Sequence, residues 1–150
     1  MRYIISVCAA LIILLSLGGC AESRSSLDML TEVIELYPAE GVIYSSELTP
    51  DAEGYADREL FSSIFISYGN PPELYSVFLN SHVDFGAECG IFVAKGADEK
   101  ERLIEMCRER MLLLDPTGED SLLLKRGEVI FYSTMPDKAR AEELFLRVLR

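Results

Sequence analysis

The sequence predicts an α+β fold: a small antiparallel sheet with helices packed on one face, preceded by N-terminal helices. The chain has 150 residues, a length typical of one domain. Apolar residues in its second half recur first at strand spacing and then at helical spacing, in the order β-β-α-β-β-α. Short turn segments separate these stretches, and such turns join antiparallel strands. We therefore expect residues 27–150 to form a single two-layer α+β domain.

The first helix and the first strand are predicted at the start of this domain. Ser25, followed three residues later by Asp28, is typical of a capping box at a helix N-terminus. Apolar residues then recur at helical spacing until Pro38, which ends the helix. The brief apolar run at 42–44 predicts a short strand or an extended segment that packs on the domain.

A second helix is predicted after the turn-forming residues 49–55. Apolar and aromatic side chains recur at helical spacing until Gly69, where Asn70 and two prolines break the chain. The members of this stripe are Leu60, Phe61, Ile64, Phe65 and Tyr68. A stripe at this spacing is typical of a helix that faces the core, and the alternative is a partner-binding groove.

Two strands and a long helix are predicted next. Five apolar residues share one parity, which indicates a strand with one solvated face: Tyr75, Val77, Leu79, Val83 and Phe85. The polar residues between them are Ser76, Asn80, His82 and Asp84. Residues 89–94 are more continuously apolar and predict a second strand. Asp98 and Glu101 have capping-box spacing before a helix that runs to residues 115–118.

A β-hairpin and a final helix complete the pattern. Apolar runs at 122–124 and 129–133 flank the glycine-containing turn 125–128, as in a hairpin. The last helix is expected to open at Pro136 and Asp137. Its core face is predicted to consist of Leu144, Phe145, Val148 and Leu149.

The first 19 residues have the layout of a secretory signal peptide, with Arg2 before an unbroken apolar run at 7–15. The segment Leu17-Gly18-Gly19-Cys20 matches the bacterial lipobox. That match implies cleavage between Gly19 and Cys20 and a Cys20 thiol that carries acyl chains such as palmitate. Residues 20–26 are then a polar, lipidated tether. The alternative is a transmembrane helix from Tyr3 to Gly19, whose 17 residues lie at the lower limit for spanning a bilayer.

The charge of the chain excludes one class of partner. All 25 Asp and Glu residues follow residue 19, together with 13 of the 14 Lys and Arg residues, so the processed chain has a formal charge of −12. Proteins bind nucleic acids through Lys and Arg side chains that displace counterions from phosphates. We therefore expect no nucleic-acid binding. The chain is 49% hydrophobic, which is enough to bury a core and excludes intrinsic disorder.

Part of the chain resembles a known family. The segments that carry the resemblance are 87–95 (AECGIFVAK), a charged helix that includes Glu101, Arg102 and 108–110 (RER), 124–131 (LKRGEVIF) and an Ala/Glu-rich closing helix. They are similar to the small Gram-positive lipoproteins of the domain-of-unknown-function family 4358, over roughly residue 25 to the C-terminus. Cysteine at position 89 and the aromatic-rich segment 61–68 depart from that pattern. The resemblance implies a lipid anchor and an extracytoplasmic domain, and it implies no activity.

The residue patterns favour no catalytic or metal site. His82 is the only histidine, and Asp84 follows two residues later, so the pair could act as acid and base or hold a metal. A metal site, however, needs three or four ligands, and we expect both side chains on a solvated strand face. No G-x-S-x-G segment is present. The acidic segment 51–57 does not fit a calcium loop, because Leu60 takes the place of the bidentate Glu. No cofactor is predicted.

Two cysteines remain in the processed domain. Cys8 leaves with the leader and Cys20 is acylated, so Cys89 and Cys107 are the remaining thiols. Outside the cytoplasm they could form a disulfide. A disulfide needs Cα atoms within about 7 Å, and a helix usually stands farther than that from its sheet. We expect two unpaired buried thiols, with the disulfide as the alternative.

The resulting hypothesis is a non-enzymatic lipoprotein on the outer face of a bacterial cytoplasmic membrane, held by acyl chains on Cys20. Its domain is expected to contact another envelope protein. The alternative is a module that binds a small ligand or a divalent cation, and a cell-wall hydrolase is a second alternative.

Overall fold

The computed structural model describes residues 24–37, 39–66, 68–81 and 87–150. Within these residues the chain forms four helices and a five-stranded antiparallel sheet, which confirms the α+β class and the β-β-α-β-β-α order of the second half. In chain order the elements are α1 (Ser26–Leu36), β1 (Gly41–Ser45), α2 (Arg58–Ile64), β2 (Leu74–Asn80), β3 (Glu88–Val93), α3 (Ala97–Leu114), β4 (Leu122–Arg126), β5 (Val129–Ser133) and α4 (Lys138–Val148).

The strands lie in the order β1-β2-β3-β5-β4, and every neighbouring pair is antiparallel. This register gives the sheet two distinct ends. We call one the Glu88 end, where the paired strands bring together Gly41, Asn80, Glu88, Ser133 and Leu122. The other is the Val93 end, formed by Leu74, Val93, Val129 and Arg126. Helix α3 starts just after the Val93 end and runs toward the Glu88 end.

Helices cover both faces of the sheet, so the prediction that they pack on one face is wrong. Alternate residues of β3 belong to two separate apolar cores. Phe92 packs with α2 and α3, whereas Ile91 packs with α1 and α4. The central strands are apolar on both sides, a pattern that requires cover on both faces. The domain therefore has three layers, with two helices on each side.

Buried serines explain why β2 was predicted to have a solvated face. Ser76 alternates with apolar residues, yet it is fully buried beneath α1. Its hydroxyl lies 2.9 Å from the Ser26 hydroxyl and donates to the Ser45 hydroxyl at 2.8 Å. Because these hydroxyl groups satisfy one another, a polar residue can occupy a dry face without an unpaired group. Phe78 lies on the same face and is also buried.

The helix starts are only partly as predicted. Ser25 caps α1, since its hydroxyl accepts a hydrogen bond from the Asp28 N–H at 3.2 Å. The predicted capping box at Asp98 and Glu101 is wrong. Helix α3 begins after Gly96, which has a positive φ of 118° and gives no side-chain cap.

Helix α2 is shorter than its stripe predicted. It ends at Ile64 rather than Gly69, because the backbone of Phe65 leaves the helical region with φ −114° and ψ 73°. This turn places the Phe65 ring 5.5 Å from Phe92 and 6.1 Å from Tyr132, measured between ring centroids. Edge-to-face packing of this kind stabilises the bend.

Candidate functional site: an apolar patch at the end of α3

Several predicted site residues lie outside the described part of the chain. These are Leu17, Gly18, Gly19 and Cys20 of the lipobox, together with His82 and Asp84. Among the described residues, no helix has the length and apolarity needed to cross a membrane. In the same residues, no group of three or more His, Cys, Asp or Glu side chains is arranged to hold a metal ion.

Cys89 and Cys107 are both buried and unpaired, as expected. Cys89 packs in the core beneath α1 and α4, whereas Cys107 packs in the core beneath α2 and α3. The sheet therefore separates the two thiols, and the alternative of a disulfide does not fit this fold. Burial also raises the pKa of both thiols well above the usual value, which keeps them protonated and unreactive.

An ion pair is buried at the Glu88 end of the sheet. Glu88 opens β3, and its side chain is only 5% exposed. Arg110, from α3, donates two hydrogen bonds to the carboxylate, from Nε to Oε1 at 2.8 Å and from Nη2 to Oε2 at 2.7 Å. The Tyr132 hydroxyl donates a third, to Oε1 at 2.5 Å. Both carboxylate oxygens are therefore bonded to donors of the protein itself.

Neighbouring backbone positions hold this cluster in place. Gly90 is paired with Tyr132 across the sheet, and a Cβ at Gly90 would stand 2.5 Å from the tyrosine ring.

Burial, and then the negative charge of Glu88, raise the pKa of Tyr132, so its hydroxyl stays a donor. Hydrogen bonds to Glu88 raise the pKa of Arg110. The cluster fixes the C-terminal half of α3 against β3 and offers no open group to a substrate.

An exposed apolar patch lies beside this cluster. We define the apolar patch as Ile66, Leu112 and Leu113, which are 81%, 66% and 71% exposed. They are the most exposed large hydrophobic side chains of the described residues. Leu112 and Leu113 stand in the last turn of α3, and Leu113 shares a depression with Ile66. The patch is at the Glu88 end, because Arg110, one turn earlier, binds Glu88.

The geometry of α3 explains why these leucines face outward. The buried positions of the helix are Leu103, Met106, Cys107 and Met111, which share one face at helical spacing. Leu112 and Leu113 follow Met111 directly and therefore point away from that face. The sequence patterns did not predict this patch. The run of three leucines at 112–114 could have indicated it, because three consecutive residues of a helix cannot all point to the same face.

Two depressions flank the patch. The smaller, of about 30 Å³, is lined by Ile64, Phe65, Ile66, Tyr68, Met106, Glu109, Arg110 and Leu113. The larger, of about 330 Å³, is an open hollow lined by Arg108, Met111, Leu112, residues 115–118 and Ser121. Small-molecule sites typically enclose about 300–1,000 Å³ and bury most of the ligand. The smaller depression cannot enclose a small molecule, and the larger one is too open to bury it. The surface is therefore better suited to bind protruding side chains of a protein.

The predicted aromatic stripe is part of the core behind this surface. Phe61 and Phe65 are buried, which confirms the interpretation that the stripe faces inward. Their rings pack 5.0 Å apart, and Phe61 also lies 5.0 Å from Tyr75. Tyr68 is only partly buried and lines the smaller depression. Among the described residues of segment 61–68, Ile66 is the exposed apolar one.

The loop after α3 is fastened by Asp115. Its carboxylate accepts hydrogen bonds from the Thr117 and Ser121 hydroxyls, each at 2.8 Å, and from the Gly118 and Asp120 N–H groups, each at 3.0 Å. These bonds, that of Thr117 above all, lower the pKa of Asp115 from 3.8 to about 2. Because four donors already occupy its oxygens, Asp115 shapes the loop rather than offering ligands to a cation.

Removing this carboxylate gives a pH-dependent loss of stability. A carboxyl group whose pKa is lower in the folded state than in the unfolded state stabilises the fold at pH values above its pKa in the unfolded state. This stabilisation is lost as the pH falls through the pKa of the folded state. At about pH 6, urea titration is therefore expected to give a lower free energy of unfolding for Asp115→Asn than for the wild type. We expect the difference to shrink between pH 3.8 and about 2. A difference that stays constant over that range contradicts this role.

The border of the patch is acidic. Both arginines beside it are paired within the domain, Arg108 with Glu105 at 3.2 Å and Arg110 with Glu88 at 2.7 Å. Glu109 lines the smaller depression and Asp115 the larger one, and Glu119 is exposed on the loop between Gly118 and Ser121. An apolar centre with a charged border is the usual anatomy of a protein interface.

Comparison of the chain with protein-family models, with curated proteins and with solved structures finds no match. The resemblance to the lipoprotein family 4358 therefore stays a prediction from the segments that carry it.

Proposed function

We propose that this chain is a lipid-anchored extracytoplasmic protein, held by acyl chains on Cys20, whose domain binds another envelope protein through the apolar patch. The apolar patch carries the proposal. Large aliphatic side chains that cluster in the open are unusual on a soluble domain and mark sites of interaction. The patch stands on rigid supports, because the buried pair of Glu88 and Arg110 fixes the end of α3.

The leader supports the membrane part of the proposal. It ends in the lipobox match Leu17-Gly18-Gly19-Cys20, and the first described residue, Arg24, follows four positions later. Arg24 contacts the Val148 carbonyl at the end of α4 and forms an ion pair with Glu32 at 2.6 Å. The tether is therefore short, and it joins the domain at the Val93 end of the sheet, where Arg24 lines a hollow with Val93 and Val129.

A non-catalytic role is supported by how the charged groups near the patch are used. The Glu88 carboxylate binds Arg110 and Tyr132, and the Asp115 carboxylate binds its own loop. A general acid or base must reach the substrate proton directly or through one water. Groups held in this way serve structure instead.

Photo-crosslinking in intact cells tests the proposed docking site. p-Benzoylphenylalanine at position 113 is expected to capture one envelope protein on irradiation. The same probe at position 146, a 43% exposed leucine on α4 at the other face, is the matched control and is expected to capture none. The adduct must disappear when Ile66→Ser and Leu112→Ser are introduced. Capture at both positions alike, or capture only of lipid, contradicts the proposal.

A further inference from the structure

We infer that the partner presents an amphipathic segment in which large apolar residues are flanked by Lys or Arg, and that it binds at the end of the domain farthest from the membrane. This inference rests on the proposed function and adds the chemistry and position of the partner. It follows from the charges around the patch and from the place where the tether joins the domain.

The shape of the surface around the apolar patch indicates that the partner presents large apolar side chains. Leu112 and Leu113 project from the last turn of α3, and a hollow lies on either side of them. A surface with a ridge between two hollows accepts side chains that alternate around it. An amphipathic helix presents such side chains at i, i+3, i+4 and i+7.

The charges at the border of the apolar patch indicate that the partner presents Lys or Arg. Its arginines are already paired, Arg108 with Glu105 and Arg110 with Glu88. Glu109 lines the smaller depression, and Glu119 is exposed on the loop beside the larger one. No ion pair within the described residues involves Glu109 or Glu119. The charge that faces a partner is therefore negative, and charge complementarity favours Lys or Arg on the other side.

The position of the partner follows from the topology. The tether reaches the Val93 end, where Arg24 lines a hollow together with Val93 and Val129. Four residue steps separate Cys20 from Arg24, and an extended chain spans at most about 3.6 Å per residue. The Cα atom of Arg24, beside the Val93 end, thus stays within about 14 Å of the Cα atom of Cys20. Leu113 lies 16 residues after Ala97, so α3 carries the patch about 24 Å toward the opposite end.

Two other occupants fit less well. A second copy of this chain brings the same acidic border and a formal charge of −12 to the interface, which opposes association. A lipid surface is favoured by basic residues around apolar ones, whereas this border is acidic. Both remain outcomes that the experiment can detect.

A pair of designed peptides tests the inference on the full processed protein. The protein is placed in nanodiscs of phosphatidylcholine through its own anchor. Two helical peptides share one leucine face, and their polar positions are all Lys in one and all Glu in the other. Fluorescence anisotropy is expected to show the Lys peptide binding at least about tenfold more tightly than the Glu peptide. Leu112→Ser with Leu113→Ser is expected to weaken the Lys peptide by about tenfold.

Charge variants test whether the Lys peptide is attracted by the acidic residues beside the patch or by the negative charge of the whole protein. Glu109→Gln with Glu119→Gln is expected to weaken the Lys peptide by about threefold. The matched control, Glu35→Gln with Glu142→Gln, removes the same charge from exposed positions on α1 and α4, at the other face, and is expected to change nothing. Equal loss in both double variants, or equal binding of the two peptides, overturns the inference.

The outcomes distinguish this inference from the proposed function. If position 113 captures an envelope protein in cells while the Lys and Glu peptides bind alike, the docking site stands and the basic partner is wrong. If position 113 captures only lipid or a second copy, both are wrong.

Discussion

Replacing Glu88 by alanine is expected to lower the free energy of unfolding by about 3–5 kcal/mol, the usual loss when one partner of a buried ion pair is removed. The guanidinium of Arg110 would stay next to β3 without its carboxylate, and the Tyr132 hydroxyl would lose its acceptor. Arg110 is 20% exposed and can recover some hydration, which favours the lower part of the range. Denaturant titration of the purified domain measures this loss.

A neighbouring residue provides the control for this experiment. Glu109 is exposed, and it precedes Arg110 in the same helix. Glu109→Ala is expected to change stability by less than about 0.5 kcal/mol, as is usual at surface positions. Glu88→Gln keeps an acceptor for Tyr132 but loses the charge opposite Arg110, so its effect should fall between the two. A loss below about 1 kcal/mol for Glu88→Ala would mean that the ion pair does not hold α3 in place.

Replacing Cys20 by alanine is expected to abolish lipid attachment. Without the thiol, acyl chains have no site, so incorporation of labelled palmitate should fall to background. The chain should also keep its 19-residue leader and migrate about 2 kDa larger, at about 110 Da per residue. Each buried CH₂ of an acyl chain contributes about 0.8 kcal/mol to membrane binding, so two chains hold a protein far more firmly than one.

A second cysteine of the leader provides the control. Cys8 lies in the apolar run, before the cleavage position, and Cys8→Ala removes a thiol without touching the lipobox. It is expected to leave palmitate labelling and size unchanged. A Cys20→Ala chain that is still labelled and still cut at the same place contradicts the proposed anchor.

The sequence patterns predicted the individual elements better than their assembly. The serine cap at Ser25 and the hairpin turn at Gly127 are local features, and both were placed correctly. The two-sided sheet was missed because Ser76 resembles a solvated strand residue. Its burial depends on the hydroxyls of Ser26 and Ser45, which lie 50 and 31 residues away along the chain.

The functional surface was missed for a related reason. A stretch such as Leu112-Leu113-Leu114 fits a helix, but the outward-facing members are known only when the buried face of α3 is known. Glu88 was missed because its partners, Arg110 and Tyr132, come from a different helix and a different strand. A Glu at the start of an apolar strand was the available signal.

The distance of Leu113 from the bilayer tests most directly whether the apolar patch binds a protein rather than the membrane. Leu113→Cys and Arg126→Cys place a thiol at the patch and at the Val93 end respectively. Each can be labelled selectively, because Cys89 and Cys107 are buried and their raised pKa keeps them protonated. Cys20 carries the lipid in the proposed protein. The labels are then compared on liposomes that contain a lipid with a quencher in its headgroup.

The fluorophore at position 126 is expected to be strongly quenched, because the proposed tether would hold that end near the membrane. The fluorophore at position 113 is expected to stay bright, since α3 carries it about 24 Å toward the other end of the domain. Quenching at position 113 equal to that at position 126 would mean that the patch lies on the bilayer, and would contradict a protein-binding role.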